Sequence, residues 1–239
     1  MSQRYDSGVR QRSGWLIPLG VFVVTAALSA LILLYYLAPG PTSFIEERPA
    51  PTSRTDPIAL SIGGNAFTIP ANYLEYRSAR NGGTVREIAL FAAYPDFQGY
   101  SDWESAMFSN NAPDSPVIFM LIGEQRYNVS EAERFERIYL NYVVDGQGRR
   151  GPFGLTGYTF REDSGYRNED LFVGQIGKRI VVLRCDRPSL RVPSPSCLRD
   201  QRLGHHLSLS YRFKRTQLSH WRDIVSGVDK LMEAFQTKK

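Results

Sequence analysis

Cysteine and histidine are scarce here, two and three residues in a chain of 239, and the scarcity excludes several kinds of chemistry at once. No C-x-x-C occurs, so a dithiol redox motif is absent. His205 and His206 are sequence neighbours, and neighbours on a strand point to opposite faces, so the two do not share one metal; no Cys or carboxylate stands at ligand spacing from them or from His220. There is no G-x-S-x-G elbow and no other hydrolase signature. The literal G-x-G-x-x-G at Gly146 to Gly151 is followed by Pro152, Phe153 and Gly154 instead of a helix that would receive a pyrophosphate. No cofactor or metal is expected, and no internal repeat is present.

Charge is missing from one stretch altogether. Trp15 to Leu37, WLIPLGVFVVTAALSALILLYYL, contains no Asp, Glu, Lys or Arg. As a helix it rises roughly 34 Å at about 1.5 Å per residue, enough for a hydrocarbon core of about 30 Å. It reads as a transmembrane helix, and its length and the Tyr36, Ala38, Pro39 sequence after it argue against a cleaved signal peptide. Arg4, Arg10 and Arg12 lie close on the N-terminal side, whereas Arg48 and Arg54 are further away with Glu46 and Glu47 between. The bias places the N-terminus in the cytoplasm and the C-terminal domain outside, in a single-pass inner-membrane topology. Ala26 and Ala30 form a small-xxx-small pair through which two copies would associate as a homo-oligomer.

The expected organisation is a cytoplasmic tail at 1–14, the helix at 15–37, a Pro-rich spacer at 38–57 and one domain at 58–239. Cys185 and Cys197 have eleven residues between them, around a Pro- and Ser-rich loop, and are expected to form a structural disulfide in an oxidising compartment. Ile58–Ile62 and Ala66–Ile69 flank Gly63-Gly64-Asn65, a hairpin pattern. Residues 85–93, 117–122, 155–161, 171–175 and 180–184 read as further strands, and 207–213 alternates with period two. Ser101 with Glu104 and Ser130 with Glu133 are capping-box pairs that open short helices. Residues 218–235 carry apolar side chains at three- and four-residue spacing, with Gly227 among them as a site of close packing. The fold class is α+β: a mostly antiparallel sheet of about five to seven strands with two or three helices packed on one face.

The net charge of +5 is unevenly distributed, since residues 178–222 hold eleven basic side chains against two acidic ones. An anionic partner is the expectation this raises, and Lys178, Arg179, Arg184, Arg187, Arg191, Arg199, Arg202, Arg212, Lys214 and Arg215 are its candidate contacts, with Arg149 and Arg150 on the glycine-rich loop. His206 is placed with Ser208, Ser210, Arg212 and Lys214 on one outward strip. A domain outside the cytoplasm does not meet nucleic acid, so the partners expected are membrane lipid at the helix and an envelope protein or anionic envelope polymer at the domain. The function expected is a membrane-anchored binding or scaffolding module, with no catalytic residue assigned. An envelope hydrolase built around the acidic 162–170 loop or His206 is the alternative, as is a sensor domain acting through a membrane partner.

Overall fold

The computed structural model describes residues 14–37, 47–125, 129–204 and 206–237, and within the first helix the side chains from 17 to 33. Two units result, residues 1–47 and 48–239. Of the expected tail residues 1–13 lie outside the described residues, as do residues 38–46 of the spacer and His205. In the first unit α1 runs Leu16–Leu37, 22 residues, and each of its described side chains is exposed. The part with described side chains rises about 25 Å. Among the described residues no helix is long and apolar enough to cross a membrane.

The second unit is α+β. Its strands are β1 (Pro57–Ile62), β2 (Asn65–Pro70), β3 (Gly83–Val85), β4 (Glu87–Ala93), β5 (Val117–Glu124), β6 (Arg149–Arg150), β7 (Thr156–Thr159), β8 (Glu169–Ile176), β9 (Arg179–Asp186), β10 (Ser196–Gly204) and β11 (Leu207–Lys214). Three helices accompany them: α2 (Ser105–Ser109), α3 (Glu131–Arg137) and α4 (Trp221–Phe235). Instead of one sheet of five to seven strands there are two. The larger, antiparallel throughout, has the order β4-β5-β11-β10-β9-β8-β7-β6; the smaller is β2-β1-β3, with β3 parallel to β1.

The helices also differ from the expectation of one covered face. Successive residues of a strand point to opposite sides, and β9 shows it: Val181 and Leu183 join the main core under α4, while Val182 packs with Tyr139, Val143, Phe160 and Leu171 on the α3 side. The main core is closed by the small sheet, through Leu60, Ile62, Phe67 and Ile69, and by the α4 residues Trp221, Ile224, Val225, Val228 and Met232.

The Ser130–Glu133 box is formed in full. That of Ser101 is not: its hydroxyl donates to Glu104 Oε2 at 2.9 Å, Gln98 Nε2 donates to the same carboxylate, and the backbone makes a 3₁₀ turn before the five residues of α2. Strand β10, which follows the cysteine loop, was not expected from the sequence, because Arg199 and Gln201 point inward at positions that usually carry aliphatic side chains. Cys185 and Cys197 form the disulfide across directly opposed positions of β9 and β10.

Gly227 meets the ring of Phe97, which lies 2.0 Å from where a Cβ would stand. Phe97 has a positive φ of 55° and so little freedom to yield. Gly227→Ala is expected to lower the stability of the domain by about 2 kcal/mol through overpacking, read from the urea midpoint, and Phe97→Leu in the same chain to restore part of it.

Candidate functional site

The site is assembled where the large sheet comes apart. Strands β9 and β10 pair only at Cys185 with Cys197 and Arg184 with Leu198. Past that point a carboxylate occupies the gap. The Ser130 cap sets Glu131 at the first position of α3, and Glu131 Oε1 accepts the Val182 backbone N–H at 3.0 Å. Arg199, fully buried, donates to the same carboxylate from Nε at 2.9 Å and from Nη2 at 2.6 Å, and from Nη1 to the Tyr211 hydroxyl at 3.0 Å. Burial by itself lowers the Arg199 pKa, but Tyr211 and Glu131 outweigh it and the guanidinium is held more firmly charged than usual. Burial pushes the Tyr211 phenol up to about 12.

Beside this pair, on the α3 side of the sheet, lies an open cleft of about 510 Å³. Its floor is Leu121 and Gly123 of β5, Ser208 and Ser210 of β11 and Asp200 of β10; Ile138, Tyr139 and Tyr166 wall it, and Glu87 and Glu124 stand at one end. Asp200 accepts the Ser210 hydroxyl and faces Arg134 at 3.2 Å and Arg184 at 3.6 Å. Arg184 also pairs with Glu169 at 2.9 Å and lies over the rings of Tyr166 and Tyr139. Burial raises the pKa of Tyr139, and raises that of Glu169 despite the Arg184 charge. The arginines of the cleft are therefore neutralised from within. Leu121 is 38% exposed, and Phe119 beside the cleft 40%, large apolar contacts that a sheet face seldom leaves open.

No family model matches the chain, and no curated protein is similar to it in sequence. Among solved structures it resembles an immunity protein of the Stenotrophomonas maltophilia type IV secretion system, with 18% identity and a TM-score of 0.56 over 77% of this chain and 94% of that one. It also resembles the Neisseria meningitidis iron-regulated outer membrane lipoprotein FrpD, with 13% identity and a TM-score of 0.48 over 79% and 95%. The first likeness shows the fold.

The basic side chains singled out from the sequence do not gather into one patch. Arg199 is not a surface contact, because it is spent on Glu131. Lys214 is buried as well, donating to Asn111 Oδ1 and to Ser194 Oγ, and burial lowers its pKa. Arg187 and Arg215 both hold Asp170, at 2.8 and 2.6 Å, and Arg179 pairs with Asp229. Lys178 and Arg202 are exposed and, with Arg179, line a shallow pocket of about 300 Å³ at the start of α3; Arg191 and Arg212 are exposed elsewhere, and Arg149 and Arg150 form the short edge strand β6. His206 sits in the β10–β11 turn with a φ of 55°, so the expected strip reduces to Ser208, Ser210 and Arg212. In the 162–170 loop, Glu169 and Asp170 are occupied by arginines, and among the described residues no group of three or more His, Cys, Asp or Glu is placed to hold a metal ion.

Sequence reasoning missed Glu131, Arg134, Tyr139 and Asp200. The one signal available was the Ser130 box, which fixes the start of α3 and so the direction in which Glu131 projects.

Arg199→Met leaves Glu131 charged and unpaired, and should cost about 3–5 kcal/mol; adding Glu131→Gln should recover part of that loss, since removing both charges removes the desolvation problem. Chemical denaturation of the three chains measures it. Tyr211 carries a pH dependence of definite sign. Below pH 10 the phenol is neutral folded and unfolded; between 10 and about 12 the unfolded chain ionises first, so stability falls as pH rises through that window. The loss attributable to this residue is on the order of 3 kcal/mol, read as the difference in denaturation midpoints between the chain and Tyr211→Phe, which lacks this titration.

Proposed function

We propose that the protein is a single-pass, membrane-anchored binding module whose domain lies outside the cytoplasm and receives a segment of an envelope protein in the cleft beside α3. The observation that carries the reading is the cleft itself: an open space of about 510 Å³ on a sheet face, with apolar side chains exposed beside and within it and its arginines internally paired. A partner entering it meets leucine, isoleucine and tyrosine, with the carboxylates of Glu87 and Glu124 at one end. That composition suits a protein segment better than an anionic polymer, for which unpaired cations would be needed.

Anchoring is supported by the 22 residues of α1, whose backbone rises about 33 Å, and by side chains that are apolar or small on every described side and all exposed. A helix apolar all round has no stable place in water. The disulfide accords with an oxidising compartment on the far side of the membrane. The likeness to an immunity protein of a secretion system makes a secretion-system protein one partner to test. The hydrolase reading gains little support, since Ser210 reaches Asp200 but that carboxylate faces two guanidinium groups, and His206 stands outside the cleft.

A photo-crosslinking residue introduced at Leu121 should capture a discrete envelope protein in intact cells, whereas one at Phe153, exposed near α4, should not. Ser210→Arg, which fills the cleft, should abolish the adduct from position 121. Equal capture from both positions, or capture unaffected by Ser210→Arg, would remove the cleft as the binding site.

A further inference from the structure

We infer that one end of the domain rests on the phospholipid surface, with Trp103 and Leu190 inserted among the headgroups. The inference takes the membrane anchor of the proposed function as given and concerns a different surface from the cleft.

The register of the large sheet places the end of β4, the start of β5, the end of β9, the start of β10 and the end of β11 at one end: Ala93 is opposite Val117, Cys185 opposite Cys197, and Lys214 opposite Ser196. Two connections cross that end, residues 94–116 and 187–195. The first presents Trp103, 98% exposed, and the second Leu190, fully exposed; outside α1 they are the two most exposed large apolar side chains among the described residues. They hang from one fixed platform, because the buried Lys214 ammonium bonds both connections, through Asn111 of the first and Ser194 of the second. The Thr216 hydroxyl and the Gln217 amide further tie the first connection down, donating to the Pro113 and Ser115 carbonyls.

The polypeptide arriving from α1 also reaches the domain here. Ser53 Oγ donates to Asp102, the residue before Trp103, at 2.7 Å, and Pro49 and Pro51 lie along a groove with Tyr100 and Phe108. From Leu37 to Glu47 the chain makes ten peptide steps, a reach of at most about 35 Å. An almost fully exposed tryptophan and leucine, at the end where the chain following α1 enters the domain, match the chemistry of the bilayer interface: tryptophan favours headgroup level, where its ring is apolar and its N–H is wet. The Glu87 and Glu124 end of the cleft, at the close of β5, then points away from the lipid.

The chain has three tryptophans, and Trp221 is fully buried in the core, so fluorescence separates the other two. The full chain would be placed in phosphatidylcholine nanodiscs whose acyl chains are brominated near the headgroup. The Trp15→Phe chain reports Trp103, the Trp103→Phe chain reports Trp15, and the doubly substituted chain supplies the Trp221 background. Expected is loss of Trp103 emission with brominated lipid, together with a blue shift relative to detergent. Trp15 quenched while Trp103 is unaffected would overturn this inference and leave the anchor standing; an unquenched Trp15 would overturn the anchor, and this inference with it.

Discussion

The carboxylate of Glu131, wedged between β9 and β10 and held by Arg199, is the constraint on which the rest of the domain depends. When two strands separate inside a protein, the backbone groups that faced each other lose their partners, and a buried N–H without an acceptor is costly. Glu131 answers for Val182 in this way, and it carries a full charge into the interior to do so. That charge is tolerated because Arg199 meets it with two donors, and because the third guanidinium nitrogen reaches the Tyr211 hydroxyl, leaving the pair saturated. The disulfide pins the strands together immediately before they part.

From that wedge follows the position of α3, and from α3 the cleft. The helix is fastened at its first residue, so Arg134, one turn on, is delivered to Asp200, and the chain beyond brings Ile138 and Tyr139 to the wall. Its length matters as much as its place. Seven residues give about 10 Å of helix, while the five strands from β4 to β9 span roughly 19 Å at the usual spacing. The helix covers the β9 side and stops, leaving β5 and β11 bare. On the opposite face α4 has fifteen residues and the small sheet beside it, and both close the main core.

What was legible in the sequence was whatever obeys a single period or a local rule. The β1–β2 hairpin follows from Gly63-Gly64-Asn65, the start of α3 from Ser130 and Glu133, and the buried face of α4 from its spacing. Strand β11 follows from the alternation of Leu207, Leu209, Tyr211 and Phe213. Strand β10 escaped because its inward positions past Cys197 are Arg199 and Gln201, polar residues whose burial makes sense only once Glu131 and Asp229 are in place from elsewhere in the chain. The Ser101–Glu104 pair shows the converse: the right residues at the right spacing, with the glutamate drawn off by Gln98. The cleft was illegible for the same reason as β10, since its residues come from seven separate segments and no one of them carries a pattern.

The division of charge along the sequence has the same explanation. Residues 58–177 hold fifteen acidic side chains against ten basic, and residues 178–222 the large basic excess. Read along the chain, this looks like a basic face awaiting an anion. In the fold, β8 from the acidic part lies beside β9 from the basic part, and α3 leans on both β9 and β10. Glu169 therefore meets Arg184, Asp170 meets Arg187 and Arg215, and Glu131 meets Arg199. Arginine suits this use, because its planar fork bridges two acceptors at once and it stays charged when buried. Two segments of opposite sign that become neighbouring strands neutralise each other inside one domain, so the asymmetry encodes which parts of the chain pair.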